Sequence, residues 1–178
     1  MKKTLAALAF VISASSLSAQ SAPVTVAGSL RTEWQQLSGW IATAAEQMPE
    51  ADYAFQPTPQ VRTFGQLIGH LAGSQELICA VALGKSNVPA EDAIENKVTT
   101  KAGLVAAIRA SSEHCNAAYA QADAALHGSV TLFGSPSTRL GALIRNTVHD
   151  GEHYGNIVTY MRLKGMVPPS SQPRSPGM

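Results

Sequence analysis

Four stretches of this chain repeat apolar residues at steps of three and four, and a Pro or a Gly closes each one. That period is one face of an α-helix. The first stretch runs from about Ser29 to Met48 along Leu30, Trp34, Leu37, Ile41 and Ala45, with Ser29 as the expected N-cap and Pro49 as the stop. The second opens on Thr63-Phe-Gly-Gln66, the T-x-x-Q spacing of a capping box, and continues through Phe64, Leu67, Leu71 and Ile78 to Gly84. The third runs from Thr99 or Thr100 to about Leu126, along Leu104, Ile108, Cys115 and Tyr119, and Gly128 follows it. The fourth runs from Ser137 or Thr138 to Lys164, with Gly165 and Pro168-Pro169 preventing continuation. Between them, Pro57 and Pro59 impose an extended linker, Lys85 to Val98 reads as a polar loop, and Phe133-Gly-Ser-Pro-Ser reads as a turn-rich loop. Nothing reads as a strand. The expected fold is all-α, a four-helix bundle of the up-and-down type.

Charge and composition narrow the class. The 178 residues carry a formal net charge of +1, with only 14% charged and 6% aromatic residues against 45% hydrophobic ones. No basic patch suits nucleic acid, and there is no polybasic run for a membrane surface. The core is expected to be aliphatic, built from Ala, Leu, Ile and Val. Gly65, Gly69 and Gly73 repeat every fourth residue of the second helix. Either a neighbouring backbone approaches closely there, or the glycines are tolerated on a solvated face; the sequence leaves both open.

The first residues read as an export signal. Met1-Lys2-Lys3 is a positive start, Leu5 to Leu17 is apolar or small, and small residues follow to Ala22. Residues 1–21 are therefore assigned as a cleavable signal peptide, 29–169 as the helical domain and 170–178 as a disordered tail. The apolar run is too short to span about 30 Å of hydrocarbon. Removing Lys2 and Lys3 from 13 basic and 12 acidic residues leaves 11 and 12, a net −1. The expected location is periplasmic or secreted, with no membrane association after cleavage.

The strongest chemical signal is His149-Asp150-Gly151-Glu152-His153 on the fourth helix. Histidines four apart stand one turn above the other on one face, so both imidazoles can reach one ion. His70 lies in the apolar stripe of the second helix, and inward residues of a bundle converge. Three His ligands with an open fourth position make a catalytic type of metal site. His114 and His127 read as surface residues. The five residues also satisfy H-x-x-E-H, a zinc-peptidase signature with Glu152 as general base, although no later helix supplies an acidic third ligand. Asp150 is placed either to orient a ligand on a neighbouring turn or to serve the structure.

These segments resemble the DinB/YfiT-like metalloenzyme superfamily. The matching residues are Phe64-Gly-Gln-Leu-Ile-Gly-His70, His149-Asp-Gly-Glu-His153-Tyr-Gly-Asn156, and the ending Val158 to Pro169. The resemblance covers about Ser29 to Pro169. It implies a four-helix bundle and a divalent metal (Zn, Ni or Mn) on His70, His149 and His153. It also implies a thiol-dependent transferase or a hydrolase acting on a small molecule. Well-understood members use intracellular thiols, whereas this chain starts with an export signal. The alternative class is a non-catalytic metal- or ligand-binding protein of the envelope, with a homodimer as one form. A polar residue from Glu33, Gln36 or Gln75 aimed at the metal would mark catalysis.

Cys79 and Cys115 fall on the second and third helices. An oxidising compartment favours a disulfide between them. In an antiparallel pair of helices, however, they would sit roughly 15 Å apart along the axis. A disulfide and two buried thiols both remain open. Trp34 belongs to the core stripe, while Trp40 suits either core packing or a pocket.

Overall fold

Each long helix begins on a threonine whose hydroxyl accepts the backbone N–H three residues on. In this computed structural model, which describes residues 24–173, the helices are α1 (Val26–Gln47), α2 (Phe64–Ala82), α3 (Lys101–Tyr119) and, after a short α4 (Asp123–Leu126), α5 (Arg139–Leu163). The caps are Thr25, Thr63, Thr100 and Thr138. Thr63 and Gln66 close the full capping box. Ser29, the expected first cap, lies inside α1, because its N–H already bonds the Thr25 carbonyl at 2.9 Å. The extra turn is held by Asp123, whose carboxylate accepts the Val26 and Ala27 N–H groups at 3.2 and 2.9 Å. Residues 1–21, read above as a signal peptide, and residues 174–178 lie outside the described residues. Ser170 and Ser171, the first residues of the expected tail, form a 3-10 turn with Pro169. It is tied by Ser170 N–H to Tyr154 Oη at 2.9 Å.

The four long helices do not alternate in direction. Gly65 and Gly69 of α2 lie against Leu104, Ser111 donates to Gln75 at 2.8 Å, and Cys79 is bonded to Cys115. These partners advance together, so α2 and α3 are parallel. In contrast, α2 and α5 run antiparallel: His70 meets His149, and Arg62 just before α2 meets Tyr160. The order is up, down, down, up, which corrects the up-and-down expectation. Residues 83–100 make this possible by returning along the length of α2. The same return removes the 15 Å objection to the disulfide, and the two Cα atoms stand 5.3 Å apart.

Two further corrections follow from tertiary contacts. The third helix stops at Tyr119 rather than Leu126, with no Gly or Pro to mark the break. Gln121 Nε2 donates to the carbonyls of Ala118 and Ala82, supplying partners where the helix ends. The expected loop around Phe133 is a two-stranded antiparallel hairpin, β1 (Ser129–Leu132) and β2 (Ser135–Thr138). Phe133 and Gly134 both take positive φ, 49° and 76°, as a two-residue turn requires.

Sixteen of the nineteen residues of α2 are buried, because α3, α5 and the returning segment cover it. Aromatic side chains supplement the aliphatic core. Trp34 stacks on Tyr119 with ring centres 4.3 Å apart, and Trp40 stacks on Tyr154 at 5.5 Å. No helix among the described residues is long and apolar enough to cross a membrane.

Candidate metal centre

The glycine stripe of α2 decides what surrounds His70. A side chain on Gly73 would overlap the Glu91 carbonyl, and a Cβ on Gly69 would stand 2.9 Å from Glu95 Cα. Only glycine lets the returning segment lie this close. Ser74 anchors it by donating to Glu91 at 2.7 Å. Glu95 is thereby carried to His70, with Oε2 at 3.5 Å from Nδ1, while its other oxygen accepts from Arg62 Nε at 2.8 Å.

The fold brings the three sequence-predicted ligands together. His70 Nε2 is 3.1 Å from His149 Nε2, and His153 Nε2 is 3.0 Å from the same atom. The rings meet edge to face, with planes 63° to 88° apart. Hydrogen bonding among them cannot satisfy this cluster. His149 Nε2 has a single in-plane position and faces two other ring nitrogens. A cation satisfies all three. Tetrahedral bonds of about 2.0–2.1 Å place such nitrogens roughly 3.3 Å apart, close to the 3.1 and 3.0 Å from His149 Nε2 to its two partners.

Burial also holds the cluster in the ligating form. It is the main cause of the lowered pKa of all three histidines, with His149 pulled down to about 3 and His153 to about 4. Neighbouring imidazoles add to the effect for His149 and His153, and Arg62 does so for His70. All three are therefore neutral at pH 7, with lone pairs free. Glu95 beside His70 Nδ1 favours the tautomer that leaves the Nε2 lone pair free.

Asp150 does not orient a ligand. Its fully buried carboxylate accepts from Gln75 at 3.1 Å and Asn146 at 3.3 Å, inside the bundle. Burial pushes its pKa up to about 8, against the lowering effects of Gln75 and Trp34. Gln75 is thus committed to Asp150 and Ser111, and Glu33 and Gln36 are exposed on α1. None of these three serves the cluster. Glu152 is exposed and is absent from the pocket wall. His127 is exposed as expected, whereas His114 is partly buried between Glu76 and Lys85.

His153 forms part of the wall of an open cavity of about 870 Å³. The rest of the wall comes from the Pro-rich segment 56–62, from Gln66 and Leu67 of α2, from Glu95, and from Asn156, Thr159 and Tyr160 of α5. Sequence reading missed Arg62 and Glu95. The pointer to Glu95 was the glycine spacing on α2, which marks a covered face without naming what covers it.

Comparison with known proteins agrees with this architecture. A family model described as the DinB superfamily matches residues 30–157. Comparison with curated proteins finds no match. Among solved structures, a DinB-like protein from Bacillus cereus is similar at 16% identity and a TM-score of 0.68, over 81% of this chain and 95% of that one. A DinB-like protein from Bacillus subtilis is similar at 20% identity and 0.64, over 83% and 99%. A mycothiol-dependent maleylpyruvate isomerase is similar at 14% identity and 0.60, over 86% and 82%. With a family match over most of its length and the helical fold to go with it, the chain belongs to the DinB superfamily.

Proposed function

We propose that this chain is an exported, divalent-metal-dependent enzyme acting on a small molecule, either a thiol-dependent transferase or a hydrolase. The observation that carries the reading is the convergence of three neutral imidazole nitrogens, one of whose rings, His153, forms part of the wall of an open cavity. His70, His149 and His153 would hold the ion, and imidazole donors suit Zn, Ni, Cu or Fe better than Ca or Mg. A metal in such a site lowers the pKa of a bound water or thiol and so supplies a nucleophile at neutral pH.

The chain's own residues do the rest. Glu95 braces His70, and Tyr160 donates to the Arg62 carbonyl at 2.6 Å, which fixes one wall of the cavity. Glu95 is the sole carboxylate among the described residues of that wall, and both of its oxygens face basic partners. Glu152 lies outside the wall, which weighs against a peptidase. The isomerase among the solved structures shows that this fold accommodates thiol-dependent chemistry in that protein. The export signal of residues 1–21 belongs to this proposal, as does a periplasmic or secreted location.

Metal analysis of the purified protein is the test. About one ion per chain is expected in the wild type, lost in both His70→Ala and His149→Ala. Unchanged metal content in both variants rejects the ligand assignment.

A further inference from the structure

We propose that the cavity beside the three histidines binds a small oxyanion-bearing molecule, a carboxylate or a phosphate, through the guanidinium of Arg62. The inference deepens the metal-dependent reading, and rests on it for the reacting end of the substrate.

Among the described residues, only one nitrogen of the Arg62 guanidinium is in use. Nε donates to Glu95, and among the described residues neither Nη atom bonds a side chain. The side chain is 41% exposed and lines the cavity. The unused donors of a guanidinium form a planar fork matched to two oxygens of a carboxylate or phosphate.

The fork is also held in place. Tyr160 binds the Arg62 carbonyl from α5. Gln56 Nε2 donates to the carbonyls of Thr58 and Val61 at 3.1 Å each, stiffening the segment that leads into it. Thr63 then starts the capped α2. A side chain anchored at its root and at Nε loses little freedom on capturing a ligand.

Charge favours the same ligand. Arg62 is the sole Lys or Arg among the described wall residues, and Glu95 the sole acid. A divalent ion held by the three imidazoles would add positive charge at this end of the cavity. Amides and hydroxyls from Gln60, Gln66, Asn156 and Thr159 share the remaining wall with apolar side chains such as Val61 and Leu67. Such groups suit the uncharged polar body of a small molecule. Glu95 touches both Arg62 and His70, so the anion fork and the metal centre lie at opposite sides of one carboxylate. One small molecule can reach both.

The test is calorimetric titration of the zinc-loaded full chain with succinate and, separately, with inorganic phosphate. It uses wild type, Arg62→Gln and Arg62→Lys, with zinc stoichiometry measured for each. Loss of charge-assisted hydrogen bonds should weaken anion binding about tenfold or more in Arg62→Gln. Arg62→Lys should recover part of that loss, and the zinc content should not change. A response confined to succinate assigns a carboxylate, and one confined to phosphate assigns a phosphate. Equal anion affinity in wild type and Arg62→Gln, or no binding of either probe at millimolar concentration, overturns the proposal. Zinc that binds normally in that case leaves the metal reading standing. If zinc does not load, the same titrations are run on the chain as purified. Arg62-dependent binding there keeps the anion site while rejecting the metal reading.

Discussion

Breaking the Cys79–Cys115 bond should cost this protein a large part of its stability. The bond closes a loop across a sequence separation of 36 residues. Restricting the unfolded chain over a loop of that size is worth about 4 kcal/mol by the chain-entropy relation. A domain is typically stable by only about 5–15 kcal/mol. Both cysteines are fully buried, so reductant acts through opened states and equilibrium has to be approached through unfolding. Urea unfolding of the oxidised protein should be compared with the protein refolded in reductant, which keeps every atom of the core and isolates the cross-link. The Cys79→Ala/Cys115→Ala variant adds a cavity contribution on top. At a slope of about 1–3 kcal/mol per molar urea, the midpoint should fall by about 2 M. The melting temperature should fall by about 8–16 °C. Titration of the denatured, unreduced protein should find no free thiol. Two free thiols, or a loss of stability below about 1 kcal/mol on reduction, would refute the reasoning and with it the parallel register of α2 and α3.

Four other perturbations separate the parts of the design. Gly73→Ala should destabilise by about 1–3 kcal/mol, because the new methyl meets the Glu91 backbone. Gly155→Ala, with open space around it in α5, should stabilise by about 0.5–1 kcal/mol in the same urea assay. Glu95→Gln should lower zinc affinity about 10- to 100-fold in a competition titration with a chelator while leaving the fold intact; unchanged affinity denies Glu95 its bracing role. Asp150 has a folded pKa raised to about 8 from an ordinary value of 3.8, so the unfolded state ionises first and wild-type stability is drained as pH rises through that window. The stability of Asp150→Asn relative to wild type should therefore grow between about pH 4 and pH 8, and a constant difference across that range contradicts the assignment.

Glu95 and Arg62 show where reading the chain in one dimension stops. The helices, the Thr63 capping box and the His149–His153 pair were legible because periodicity and capping depend on residues within about four positions of each other. His70 was legible as a third member of the cluster only in combination with that pair and with the family resemblance. Neither Glu95 nor Arg62 lies within twenty residues of both ends of the site it serves. The end of α3 was equally hidden, since Gln121 finds a carbonyl on a different helix, at Ala82.

By itself the sequence determined which segments are helical, where most of them start, and which histidines share a face. Local sterics and backbone hydrogen bonding are enough for that. Tertiary structure alone decided that α2 and α3 run in the same direction, because direction depends on the path of the eighteen-residue connection 83–100, and a polar loop of that length permits either course. From that one choice follow the disulfide, the cover over the glycine stripe and the delivery of Glu95 to His70. Each is a contact between residues distant in the chain, formed only once the helices have packed.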